Sequence, residues 1–150
     1  MAADPVRIRL VAAVAAAATV GAGLGLRAVA GGDVAKYGGD ALYTVLLLAL
    51  VVVVAPRTTP PRAAAIALTA SWAVEFLQLG PLPAELARHS TVARLVLGST
   101  FNAPDLLWYT VGAAVGWCVH ACVHACAHVC ARAWARRRPP SKSPLRAPGP

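Results

Sequence analysis

The sequence predicts an all-α fold, an integral membrane bundle of four transmembrane helices with both termini in the cytoplasm. Three observations predict it. First, four stretches, at about residues 9–26, 40–55, 63–79 and 104–131, are apolar and nearly free of charge. A bilayer core about 30 Å thick takes about 17–25 apolar helical residues, and each stretch approaches or meets that length. Second, the 150-residue chain is 58% hydrophobic, more than a water-soluble domain of this size can bury in one core. Third, the basic residues alternate in density along the chain. With the N-terminus inside, the cytoplasmic side holds Arg7, Arg9, Arg57, Arg62 and the six basic residues from Arg132 to Arg146, ten in all, against Arg27, Lys36, Arg88 and Arg94 outside. The reverse orientation would break the positive-inside bias.

The first helix is Ala-rich and follows Arg7 and Arg9. A signal peptide begins in the same way, but seventeen uninterrupted residues between Arg9 and Arg27 are long for its apolar core. The residues after it face outward whether residues 1–26 are cleaved or kept. The second helix is expected to open at Gly38-Gly39-Asp40 and to close at Pro56, which donates no backbone hydrogen bond. Arg57-Thr-Thr-Pro-Pro-Arg62 is a short, stiff cytoplasmic link. The third helix stops at Gly80-Pro81. Residues 81–103 form the longest outer connection, in which Leu86, Val92, Leu95, Val96 and Leu97 suit one short helix in the interface plane. The fourth helix opens at Asn102-Ala-Pro-Asp105, with a capping residue, a first-turn proline and an acid at the positive end of the dipole. Gly112 and Gly116 lie four apart on it, a helix-packing face of small residues. Residues 1–138 then form one domain, and 139–150 a disordered basic tail. The net charge is +8, and six of the fourteen basic residues, from Arg132 to Arg146, lie in the last nineteen positions with no acid among them, which suits anionic membrane lipid better than nucleic acid.

On this topology the polar residues gather at the outer side. Lys36, Tyr37 and Asp40 begin the second helix. Glu75 and Gln78, three apart and so on one face, end the third. Arg88, His89 and Arg94 lie in the outer loop, and Asn102, Asp105 and Tyr109 begin the fourth helix. A carboxylate within a membrane helix costs about 2.5–3.5 kcal/mol on insertion scales, so Glu75 is expected to face inward and to take Arg88 or Arg94 as partner. The nine residues Lys36, Tyr37, Asp40, Glu75, Gln78, Arg88, Arg94, Asp105 and Tyr109 are the candidate ligand-binding set. Each also has a structural reading, as a cap, an ion pair or a packing contact. No nucleophile–base pair stands out, so no catalytic residue is assigned.

All four cysteines and three of the four histidines fall between Cys118 and Cys130. On a helix, Cys118, Cys122, Cys126 and Cys130 form one stripe, and His120, His124 and His128 another on nearly the opposite face. One helix therefore cannot bring four ligands to a structural zinc ion. No metal or cofactor is assigned, and at a cytoplasmic helix end no disulfide is expected.

Lys36-Tyr-Gly-Gly-Asp-Ala-Leu-Tyr43, Glu75-Phe-Leu-Gln78 and Leu95-Val-Leu-Gly-Ser-Thr-Phe-Asn-Ala-Pro-Asp-Leu-Leu-Trp-Tyr109, followed by Gly112 and Gly116, carry a resemblance over about residues 20–117. The chain resembles domain-of-unknown-function family 2809, small bacterial four-helix membrane proteins that are themselves similar to VanZ-like proteins. The resemblance carries over to Lys36, Tyr37, Gly39, Asp40, Glu75, Gln78, Arg88, Gly98, Phe101, Asp105, Tyr109, Gly112 and Gly116. It departs from the VanZ-like pattern at Tyr109, where an asparagine is usual, and in arginines set further ahead of Asp105. It implies a bacterial cell-envelope protein of the plasma membrane, with a VanZ-like role in antibiotic or envelope-stress tolerance.

Three functional readings follow. The first is a non-enzymatic envelope protein binding a lipid or a cell-wall or lipid-linked molecule through the outer cluster. The second is a structural helix bundle in which those residues only set packing. The third is a small membrane enzyme or carrier using Glu75 and Asp105. Oligomerisation is left open by all three.

Overall fold

The computed structural model describes residues 4–97 and 100–137, apart from the side chains of residues 93–95, 135 and 137. Among the described residues the chain is helical throughout: α1 Pro5–Val29, α2 Gly32–Val54, α3 Pro60–Leu77, α4 Leu82–His89, α5 Thr91–Leu97 and α6 Ala103–Arg137. Three helices, α1, α2 and α6, are long and apolar enough to cross a membrane. The pair α3 and α4 makes a fourth candidate, bent by 90° at its break. The basic tail assigned to residues 139–150 lies outside the described residues.

Helix α1 starts where Asp4 accepts a hydrogen bond from the Val6 N–H at 3.0 Å and Pro5 presets the first turn. It buries only Ala12 and Ala16, one turn apart and facing α2, and leaves Leu10, Val14 and Leu24 outward. Its length and apolar surface suit a membrane span. It ends at Ala30-Gly31, and Gly32 takes φ +58 to turn the chain into α2. That left-handed value favours glycine.

The expected start of the second helix at Gly38-Gly39-Asp40 is corrected to Gly32. The reversal is made at Gly31-Gly32, and Asp33 sits in the first turn, where the dipole favours an acid. Gly38 instead serves packing, since a Cβ there would stand 2.5 Å from Leu26 Cδ2 of α1. Helix α2 is central, with α1, α3 and α6 all packed on it.

Helix α3 packs through a stripe at every fourth residue, Ala63, Ala67, Ser71 and Glu75, each with no exposed area. The small side chains let α3 approach α2, where the Ser71 and Thr44 hydroxyls share a hydrogen bond at 2.9 Å. Ile8, Leu48 and Val52 fill the opposite end of the bundle with Ala63 and Ala67. After α3 the chain bends at Gln78-Gly80-Pro81 into α4 and α5, which pack on each other. Two short helices thus stand where one was expected. Helix α6 extends six residues past the expected end at Ala131. Its Gly112 lies against the Ala41 backbone, and Gly116 against Leu48. These contacts set α6 beside α2 and parallel to it, both starting at the same end of the bundle. Helix α2 stops at Val54, so the last turns of α6 project beyond it.

Candidate functional site: a polar cluster at one end of the bundle

The starts of α2 and α6 and the end of α3 meet at one end of the bundle, and the polar residues of all three converge there. Glu75 is the fourth member of the buried α3 stripe, and its side chain has no exposed area. Its Oε1 accepts the Asn102 backbone N–H at 2.5 Å, and its Oε2 accepts the Tyr109 hydroxyl at 3.1 Å. Both partners lie at or before the first turns of α6, so this carboxylate fastens α3 to the entry of α6. The expected pairing of Glu75 with Arg88 is corrected. Arg88 is exposed on α4 and pairs with Glu85 on its own helix at 3.6 Å. A 90° bend separates the direction of α4 from that of α3. The Arg94 side chain and Gly98 lie outside the described residues.

Asp105 is also buried. Its Oδ1 accepts from the Lys36 ammonium at 2.5 Å and from the Asn102 side-chain amide. The chain from Lys36 through Asp105 and Asn102 to Glu75 and Tyr109 is therefore one continuous network across three helices. Charged and neutral donors are matched to acceptors along it, as a low-dielectric setting requires. Lys36 stays open, with 44% of its side chain exposed. Asp40, one turn along α2 from Lys36, lies within electrostatic reach of Lys36, Asp105 and Glu75. Its Oδ2 is buried and has no hydrogen-bond partner.

Aromatic rings enclose the cluster. Tyr37 stacks on Trp108 with centroids 5.6 Å apart, and Tyr43 tilts against Tyr109 at 6.2 Å. Phe76 stacks on Phe101 at 6.3 Å. Gln78 is not part of the network; its amide donates to the Leu97 carbonyl at 2.6 Å and ties the end of α3 to α5. Of the nine candidate residues, Lys36, Tyr37, Asp40, Glu75, Asp105 and Tyr109 are thus gathered at one end, while Gln78 and Arg88 make other contacts.

Sequence reasoning missed the Thr44–Ser71 bond and the role of Gly38. The signal for the first was present, because Ser71 falls in register with Ala63, Ala67 and Glu75. The His–Cys stretch forms no such convergence. The His124 and His128 rings are 4.6 Å apart on the far half of α6, all four cysteines are free and exposed, and no group of three metal-capable side chains occurs among the described residues.

These features define an all-α protein with apolar helices of membrane-spanning length and a buried polar network at one end of its bundle. The family model described as "Protein of unknown function (DUF2809)" matches residues 30–113, more than half of the chain, and the protein belongs to that family. The match takes in α2, α3 and the start of α6, and with them every residue of the network. No curated protein and no solved structure matches the chain.

Proposed function

We propose that the protein spans the membrane four times, as α1, α2, α3 and α6, and binds a lipid headgroup or another polar envelope molecule through the cluster on the outer side. Helices α4 and α5 would lie along that outer surface, with both termini cytoplasmic. The charge bias supports this orientation: Arg9, Arg57 and Arg62 border the bundle at the end away from the cluster.

The observation that carries the reading is the unsatisfied Asp40 carboxylate oxygen one turn from the half-open Lys36 ammonium. A buried acceptor without a donor costs about 1–3 kcal/mol, so a protein that keeps one has a use for it. A ligand offering an N–H or O–H to Asp40 and negative charge to Lys36 would complete both. The Tyr37–Trp108 stack supports an interfacial position, where such amphipathic rings concentrate. Glu75 and Asp105 already have their partners, which favours a structural role for these two. In this account they hold the frame, and Lys36 and Asp40 meet the ligand.

The VanZ-like resemblance extends the proposal to tolerance of envelope-directed antibiotics. A deletion strain challenged with such compounds and complemented by wild type, Asp40→Asn or Lys36→Gln tests it. Rescue by wild type alone is expected. Equal rescue by all three would remove Lys36 and Asp40 from the function.

A further inference from the structure

At the end of the bundle opposite the polar cluster, α1 and α3 begin and α2 ends. Arg9, Arg57 and Arg62 line a groove there of about 690 Å³, together with Pro5, Ala55 and Ile66. A second groove of about 380 Å³ continues between α2 and α3, sharing Ala55 and Ile66 with the first. Its lining is entirely aliphatic and reaches back to Leu47.

Among the described residues the arginines of the first groove are not paired with an acid, and no acid lines it. Asp4, close by in sequence, is engaged in capping α1. Two helix N-termini, those of α1 and α3, also border the groove and add the positive ends of their dipoles. A basic mouth opening onto an apolar channel matches an amphiphile with an anionic head. From Leu47 to Ala55 the apolar groove follows about 12 Å of helix, against a leaflet of about 15 Å of hydrocarbon.

We infer that the joined grooves bind an anionic phospholipid, its phosphate among Arg9, Arg57 and Arg62 and one acyl chain along the channel between α2 and α3. This site is separate from the polar cluster and does not rest on the function proposed for it. Free phosphate shares the headgroup chemistry, so the test must separate the two sources.

The full chain, purified untagged in a mild detergent, is offered dioleoyl phosphatidylglycerol or dioleoyl phosphatidylcholine, and retained lipid is read by native mass spectrometry. Wild type should prefer phosphatidylglycerol by about tenfold, a difference of about 1.4 kcal/mol. Arg57→Gln/Arg62→Gln should erase that preference. Arg132→Gln/Arg136→Gln removes the same charge from the projecting end of α6 and should lower the preference much less. Ala70→Phe, which narrows the channel without touching an arginine, should weaken retention. Inorganic phosphate at millimolar concentration should not displace the lipid. The site is refuted if Arg57→Gln/Arg62→Gln keeps the preference, or if both double variants lose it alike. The acyl-chain assignment is refuted if Ala70→Phe retains lipid as wild type does, or if phosphate displaces it.

Discussion

Glu75 and Asp40 are both carboxylates at the same end of the bundle, yet their surroundings give them opposite expectations. Each Glu75 oxygen accepts one hydrogen bond, from the Asn102 amide and the Tyr109 hydroxyl. Glu75→Gln keeps one acceptor and turns an NH2 group toward the other donor, and Glu75→Leu leaves both donors empty. The expected loss is about 1–3 kcal/mol for Gln and more for Leu, read as thermal unfolding in detergent. Lys36→Gln should cost less, about 1 kcal/mol or below, because the ammonium is partly exposed and Asn102 still serves Asp105. Asp40→Asn should leave stability unchanged or raised, because it replaces an acceptor that has no donor. The sequence marks all three positions as polar at membrane depth. It does not reveal which acids are satisfied, because that depends on Asn102 and Tyr109 reaching Glu75 from 27 and 34 residues away.

Helix contacts in this bundle are close where the side chains are smallest. A Cβ at Gly112 would overlap the Ala41 carbonyl, which is backbone and cannot move aside, whereas one at Gly38 would meet the mobile end of Leu26. Gly112→Val should therefore separate α6 from α2 and destabilise by about 1–3 kcal/mol or more, with Gly38→Val milder. Size-exclusion profiles and melting temperatures of the two variants check that order. The Gly112–Gly116 spacing is legible in the sequence, as are the four apolar stretches, because hydropathy and small-residue spacing are local properties. The true start of α2 is not legible. Gly31-Gly32 and Gly38-Gly39 both offer a break, and the structure makes it at the first, with Gly38 packed within α2 against Leu26. The pairing of Arg88 with Glu85 in place of Glu75 is hidden for a similar reason. Between α3 and α4 lies a 90° bend that Gly80-Pro81 permits but does not dictate.

For the whole molecule, the two ends of the bundle carry different chemistry. One holds the connected acids, amide and phenol of the polar cluster; the other carries Arg9, Arg57 and Arg62 at the grooves and the projecting end of α6. The proposed orientation places the second end in the cytoplasm, and the native thiols can report it. Cys126 and Cys130 are free and exposed on the last turns of α6. A membrane-impermeant maleimide should label them in inside-out vesicles and leave them unmodified in intact spheroplasts. Labelling in spheroplasts would invert the topology and move the polar cluster to the cytoplasmic side.

The central claim is that the polar cluster divides into a frame and a binding edge, and Asp40→Asn tests it most directly. The full chain and the Asp40→Asn variant would be purified in parallel from the same membranes, and the polar molecules extracted from each compared by mass spectrometry. The account predicts that the variant melts no lower than wild type yet loses a polar compound that wild type retains. Identical extracts from two equally stable proteins would contradict it and leave the cluster a device for holding the helices together.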